Sequence, residues 1–372
     1  MNVMLKHAPS PKRHMKVRYS YLPQQFGDID DLWDQLKAFV PTGDFTLGGP
    51  LEEFEQQFAE LIGTRHAIGV GSGTDALKLP LKALGVGHGD EVITTANTFI
   101  ATVGAINEIG ARTVFVDCDD TFCMDVDQLE AAITPRTKAI MPVHFTGYMT
   151  DMPKLMEIAA RHNLPIVEDA CQALLADIGG KRSGTWGAAG GFSLHPLKNL
   201  NVWGDGGVIV TDNDEMNASL RLLRNHGMRN RDEIEILQAV VGNWLIGQAD
   251  DITAKRIANA AVYDEAFADI AGIRIPERPD DRRRVYHLYI VFAEERDALY
   301  EYCQAAGIEC KIHYPVPLYQ QDGLKHLGYL PGDFPVTDRH TQEIITFPVD
   351  QHLSREELDH VTATVRDFYD ER

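Results

Sequence analysis

The sequence predicts an α/β protein: a large domain whose mostly parallel sheet is flanked by helices, followed by a smaller C-terminal α+β domain. Three observations predict it. From about Asp44 to Asp212, short apolar runs alternate with segments of helical period. Those runs have the pattern of strands buried on both faces of a parallel sheet with helical crossovers. After about Gln238 the alternation gives way to a long helical stretch and a few separated strands. The length of 372 residues also exceeds one ordinary domain of ~100–200 residues.

In the first part the expected strands are His66–Val70, Glu91–Thr94, Thr113–Val116, Ala139–Val143, Pro165–Val167 and Gly207–Thr211. Between them the helical period falls on Pro50–Ile62, Thr74–Leu84, Ala101–Ile109, Asp127–Ile133 and Met152–His162. Sheets of this kind bind ligands at the carboxyl ends of their strands, so chemistry is expected just after each run. In the second part, Gln238–Ala268 carries Val241, Leu245, Ile252, Ile257 and Ala261 at near-helical spacing. A charged, proline-bearing turn follows (Pro276–Arg284), then a strand (Tyr286–Phe292), a helix (Arg296–Ala306), a strand (Cys310–Tyr314) and a final helix from Ser354. The expected division is 1–237 for the large domain with its N-terminal arm and 238–372 for the smaller one.

Composition narrows the function. With 35 Lys+Arg against 55 Asp+Glu the net charge is −20, which argues against a nucleic-acid partner. No apolar run approaches the ~20 residues of a bilayer span. The basic N-terminal residues Lys6, Lys12, Arg13 and Lys16 are not followed by the apolar stretch of a signal peptide. Cys118, Cys123, Cys171, Cys303 and Cys310 are odd in number and lack C-x-x-C spacing, so neither a disulfide framework nor a metal site is indicated. A reduced, cytoplasmic protein is expected.

Three stretches carry chemistry. Gly71-Ser72-Gly73-Thr74-Asp75-Ala76-Leu77 ends one apolar run and opens a helix. Backbone N–H groups there, approached through glycines, suit a phosphate, although Ser-Gly-Thr before a helix also reads as a plain N-cap. Asp169 ends another run, where an acid is costly unless it meets a cation or a donor. It is either a helix cap or a carboxylate paired with a protonated ring nitrogen of a cofactor. Phe192-Ser193-Leu194-His195-Pro196-Leu197-Lys198-Asn199 holds a single lysine among small and polar residues. Such a lysine is solvated, or desolvated and able to form a Schiff base with an aldehyde.

In this order, cradle, strand-end acid, then lysine, the chain resembles pyridoxal 5′-phosphate enzymes of fold type I, and among them the DegT/DnrJ/EryC1/StrS sugar aminotransferase family. The resemblance runs from about Phe45 to the C-terminus. It rests on Gly48-Gly49-Pro50-Leu51-Glu52-Glu53-Phe54-Glu55, Gly71–Leu77, Ala96-Asn97-Thr98-Phe99-Ile100-Ala101-Thr102, Val167-Glu168-Asp169-Ala170-Cys171-Gln172-Ala173, Phe192–Asn199, Gly204–Gly207 and Ile312-His313-Tyr314-Pro315. It implies that Lys198 holds the cofactor and moves the reacting proton. Asp169 would keep the pyridine nitrogen protonated, Phe99 would stack on the ring and Gln172 would meet the ring hydroxyl. Ser193 with the backbone of Gly73 and Thr74 would hold the phosphate. His195, His313 and Tyr314 are the candidates for the sugar. The implied reaction moves an amino group from glutamate to a keto-sugar, nucleotide-linked or phosphorylated, in a homodimer whose active site is shared between subunits.

One departure and two alternatives accompany that reading. The family carries a Gly-x-Asn-x-Arg loop before the helix near Gln238, whose Asn reaches the neighbouring subunit's phosphate. Here Asp232-Glu233-Ile234-Glu235-Ile236-Leu237-Gln238 runs straight through; lost residues, a deletion and divergence each account for that, and the match resuming at once at Gln238-Ala239 favours lost residues. Asn225, Arg229, Asn230 and Arg231 cannot take over the role, because their local sequence does not match. A sugar dehydratase of the same family would have histidine in place of Lys198. A catalytically silent binding or regulatory protein is supported only by the missing loop. The tract Asp280-Asp281-Arg282-Arg283-Arg284 reads as a charged surface turn or as a phosphate contact.

Overall fold

A computed structural model describes residue 11 and residues 13–43, 48–225 and 236–371. Its strands are β1 (His66–Val70), β2 (Glu91–Thr95), β3 (Arg112–Val116), β4 (Thr137–Met141), β5 (Val167–Asp169), the short hairpin β6 (Asp177–Ile178) and β7 (Lys181–Arg182), β8 (Ala189–Ser193) and β9 (Gly207–Thr211), then β10 (Ile273–Arg274), β11 (Arg282–Arg283), β12 (Tyr289–Ala293) and β13 (Ile344–Phe347). One sheet has the order β1-β9-β8-β5 and another β3-β2-β4. Parallel bridges Ile140↔Ile166 and Val143↔Asp169 join β4 to β5, so the two sheets run on as one surface. Within it β9 pairs antiparallel with β8 and β1, whereas β5–β8, β2–β3 and β2–β4 are parallel. The mostly parallel sheet is present.

Local chemistry sets the helix ends. Ser72 caps Gly73–Ala83, and Asp151 caps Met152–His162, which stops at Asn163 with φ 52°. The final helix, Arg355–Asp370, begins with a capping box between Ser354 and Glu357. The small domain packs the antiparallel sheet β10-β12-β13 against helices Ala249–Phe267, Arg296–Ala305 and Arg355–Asp370.

The helical stretch over 236–267 and the N-terminal arm are each shared between two cores. The long helix expected over Gln238–Ala268 is two, Ile236–Ile246 and Ala249–Phe267. Ala239, Val241, Leu245 and Ile252 belong to the large-domain core, while Ala260, Tyr263 and Phe267 belong to the small-domain core. The N-terminal arm is split too: Leu32 and Leu36 pack with the large domain, Val17 and Tyr21 with the small one. Two segments expected as strands change. Cys310–Tyr314 is reduced to the bridge Lys311↔Thr346, and Tyr286, with φ 48°, leaves the extended region so that β12 begins only at Tyr289. β8 was absent from the expected strands; its run Ala189-Gly190-Gly191 carries no β-branched residue to announce it. Among the described residues no helix is long and apolar enough to cross a membrane.

Candidate active site

The phosphate-type cradle is built by strand pairing. Val70 of β1 and Ser193 of β8 both pair with Gly207, which brings the two chain ends together. Glycine is required at two points: a Cβ on Gly207 would lie 2.2 Å from the Ser72 carbonyl oxygen, and one on Gly73 would lie 2.6 Å from Ser193 Cβ. The Ser72 hydroxyl accepts the Asp75 N–H at 3.1 Å. Gly73 and Thr74 open an 11-residue helix, whose first N–H groups have no intrahelical acceptor. Helix start and Ser193 hydroxyl therefore sit side by side.

Alternation along β5 sends its last two acids to opposite faces. Glu168 is fully buried and accepts four hydrogen bonds: from the N–H groups of Gly184, Trp186 and Gly187 at 2.8, 2.6 and 2.9 Å, and from His144 Nε2 at 2.9 Å. Nδ1 of His144 accepts the Thr150 N–H at 3.3 Å, so Nε2 carries the hydrogen. Asp169 is also buried but meets fewer donors: the Thr102 hydroxyl at 2.7 Å on Oδ2 and the Cys171 N–H at 3.2 Å on Oδ1.

Lys198 lines one cavity with Gln172, Ser193, Cys171, Asn199 and His287. Burial holds its ammonium below the ordinary lysine range, with Cys171 and Asp169 acting in the opposite direction. The Lys198 N–H donates to the His195 carbonyl at 2.8 Å, closing a tight turn. His195 itself is exposed; its ring Nδ1 accepts the Leu197 N–H at 3.3 Å. Gln172 Oε1 accepts the Thr146 N–H at 3.0 Å, which leaves its amide Nε2 as the donor available to the cavity. Asn199 donates to the Val285 carbonyl at 3.3 Å, so its oxygen is turned to His287 Nδ1 at 3.4 Å. Burial, reinforced by Lys198 and Arg256, pushes the His287 ring well below the ordinary histidine value.

Phe99, His313 and Tyr314 do not line that cavity, but His313 feels the charge of Lys198 and Tyr314 that of Asp169. Tyr314 stands 6.3 Å from the Phe99 ring and 6.2 Å from the Phe145 ring. Burial, with Asp169 adding, pushes its hydroxyl up to about 12. His313 contacts Thr346 Oγ1 at 3.0 Å, and burial, Lys311 and Lys198 bring it down to about 4. Phe99 is 48% exposed, a large apolar ring left open where β2 leads into the helix Ile100–Glu108. The arginine tract does not line the cavity with Lys198. Arg282 and Arg283 pair with Asp151 and Asp250 at 3.5 and 3.9 Å, and Arg284 is buried against the Tyr148 ring at 4.2 Å.

A helix start beside the Ser193 hydroxyl, a strand-end carboxylate and a desolvated lysine that feels its charge describe chemistry without naming a family. The DegT/DnrJ/EryC1/StrS aminotransferase family model matches residues 28–366. The chain belongs to that family. It is a sugar aminotransferase, and its cofactor is pyridoxal 5′-phosphate. The chain is 38% identical over 364 residues to the dTDP-3-amino-3,4,6-trideoxy-alpha-D-glucose transaminase of Micromonospora megalomicea, covering 94% of this chain and 97% of that one. It is 36% identical over 362 residues to a pleiotropic regulatory protein of Geobacillus stearothermophilus, covering 92% and 97%. The structure resembles that of S. venezuelae DesV in complex with a ketimine intermediate, with a TM-score of 0.93, 36% identity and coverage of 96% and 99%.

Within this sugar aminotransferase, sequence reasoning gave no role to Thr102, His144 or His287. Thr102 lay inside a quoted motif with nothing to mark its hydroxyl. His287 comes from the other domain, and no local spacing links it to Lys198. The segment that departs from the family loop, Asp232–Glu235, lies outside the described residues, as do Arg229, Asn230 and Arg231.

Proposed function

We propose that this aminotransferase aminates a nucleotide-linked keto-sugar with glutamate as donor, as a cytoplasmic homodimer with a shared active site. The observation that carries the reading is Lys198, desolvated in one cavity with Gln172 and Ser193 and close enough to Asp169 to feel its charge. The names of its relatives support the substrate class: dTDP-linked 3-amino-sugar transaminases, a UDP-N-acetyl-3-dehydro-alpha-D-glucosamine 3-aminotransferase, and an aminotransferase for a UDP-linked 3-oxo-glucuronate. They favour a ketone at carbon 3.

The residues fit the cofactor. Gly73, where a Cβ would strike Ser193, lets the helix start and the Ser193 hydroxyl stand close enough together to face one phosphate. Gln172 keeps a donor for the ring hydroxyl, Asp169 keeps acceptor capacity for the ring nitrogen, and the open Phe99 ring suits stacking. When bound, the cofactor supplies an electron sink that stabilises a carbanion next to nitrogen. The chain then has three tasks. Lys198, whose ammonium burial holds below the ordinary lysine range, would bind the cofactor's aldehyde carbon and would then take and return a proton at the substrate carbon. Asp169 supplies negative charge at the ring nitrogen. His313 and Tyr314 present an uncharged ring and a protonated hydroxyl to the sugar, with His195 at the exposed rim.

The regulatory name of one relative favours a second reading, a silent binding protein. Lys198 opposes it, and also opposes the dehydratase. A coupled assay with glutamate across dTDP- and UDP-linked 3-keto-sugars tests the proposal. Formation of an amino-sugar together with 2-oxoglutarate is expected. A protein that binds pyridoxal phosphate yet aminates no nucleotide-linked ketone would refute the substrate class. A mass of one chain for the active species in light scattering would refute the shared site.

A further inference from the structure

Asp169 accepts from the Cys171 N–H on Oδ1, and its donor on Oδ2 is the hydroxyl of Thr102. Thr102 is fully buried in the first turn of the helix Ile100–Glu108. A threonine in a helix commonly bonds a carbonyl of its own preceding turn. Thr102 instead directs its hydroxyl to Asp169 Oδ2 at 2.7 Å, a carboxylate 67 residues away in sequence. Thr98 Oγ1, also buried, lies 2.7 Å from Thr102 Oγ1. A hydroxyl has one hydrogen, and an ionised carboxylate can only accept. The hydrogen of Thr102 therefore goes to Asp169, and the Thr98–Thr102 bond uses the hydrogen of Thr98. The chain is directed: Thr98 to Thr102 to Asp169.

We propose that Thr102, backed by Thr98, is the positioning residue of the cofactor-binding carboxylate. Its hydroxyl occupies one acceptor site on Oδ2 and, with the Cys171 N–H on Oδ1, fixes the plane of the carboxylate. The remaining acceptor sites are then aimed at the ring nitrogen. The polarisation passed on by Thr98 strengthens that grip.

This inference rests on the reading of Asp169 as the partner of the ring nitrogen. Its test compares Thr102→Val, which keeps the shape and removes the hydroxyl, with Thr102→Ser, which restores it. Apoprotein melting, pyridoxal phosphate affinity by absorbance titration of the apoprotein, and kcat and KM of the holoenzyme are measured for each. Loss of one hydrogen bond to a charged group predicts that Thr102→Val still folds, melting a few degrees below wild type, but binds the cofactor about ten-fold more weakly and turns over about ten-fold more slowly, with KM for the keto-sugar within about two-fold. Thr102→Ser should recover both to within about three-fold. Thr98→Val should shift both by about two- to three-fold, as loss of a neutral bond one link away, and it decides the question where Thr102→Val does not fold. Wild-type cofactor affinity and kcat in the valine variants would overturn the proposal. If Asp169→Asn measured alongside is also unimpaired, the role of Asp169 itself falls; if only Asp169→Asn is impaired, the positioning role alone falls.

Discussion

The two faces of the end of β5 make the instructive comparison. On one face Glu168 is enclosed by three backbone N–H groups and a histidine, and every one of those donors belongs to the chain itself. On the other, one residue away, Asp169 accepts from the Thr102 hydroxyl and the Cys171 N–H and lies close enough to Lys198 to act on its charge. Both acids are buried, so both would be costly without partners. The saturated acid fastens the loop 184–187 and His144 to the sheet, while the undersaturated one keeps capacity for a ligand. Spare hydrogen-bonding capacity, more than burial, is what separates the two acids.

The largest test acts on the reserved face. Lys198→Ala should leave melting almost unchanged and lower transamination by about 10⁴-fold, the upper range for removal of an acid–base group. It should also abolish the long-wavelength cofactor band that borohydride bleaches. Full turnover in that variant would end the reading built on this lysine.

Next comes the acid beside it. Asp169→Asn should retain the fold and lose about a hundred-fold or more in kcat, the scale seen when one preorganised electrostatic group is removed. The amide cannot supply the charge that keeps a ring nitrogen protonated. A near-wild-type rate would make Asp169 only a structural acceptor, the equal of Glu168.

The same change across the strand should do the reverse. Glu168→Gln places an NH₂ group among four donors and weakens bonds to a charged acceptor, at a cost of about 3 kcal/mol in stability. The melting temperature of the apoprotein should fall by several degrees, while kcat well below that temperature stays within a few-fold. If Glu168→Gln instead lost activity at unchanged melting temperature, the contrast between the faces would be wrong.

The smallest effect concerns His313. The folded value of His313, about 4, lies below the ordinary 6.5. Between those values the unfolded chain binds a proton that the folded chain refuses, so stability is lost as pH falls through that window and is fully present above it. Because the ring is only part-buried, the effect is discounted to about 1 kcal/mol or less. Melting of wild type should therefore drop by roughly 2 °C more than that of His313→Gln between pH 7 and pH 5. Equal drops would show that His313 is solvated like an ordinary surface histidine.

Much of this architecture was legible in the chain. Asp169 and the glycine-flanked Ser72 could be picked out because each stands just past an apolar run, where a parallel sheet ends, whereas Lys198 was marked only as a single lysine among small and polar residues between apolar segments. The run Gly190-Gly191 escaped notice as a strand for a reason that is purely three-dimensional. A Cβ on Gly190 would lie 2.3 Å from Gly184 Cα, and one on Gly191 would lie 2.8 Å from the Ala76 carbonyl oxygen. Glycine is there because other segments press on the strand, and locally that looks like a loop.

The sequence by itself determined the alternation of strands and helices, the sheet edge at which the chemistry gathers, and the residue types placed there, since periodicity and strand ends are local properties. Only the tertiary structure decided the partners: Thr102 on Asp169, His144 on Glu168, Asn199 against His287, and the split of the N-terminal arm between two cores. Each of those pairings joins residues far apart in the chain, and a hydrogen bond depends on the distance between two atoms rather than on the number of residues separating them. Which buried acid keeps a free acceptor is therefore settled only once the chain has folded.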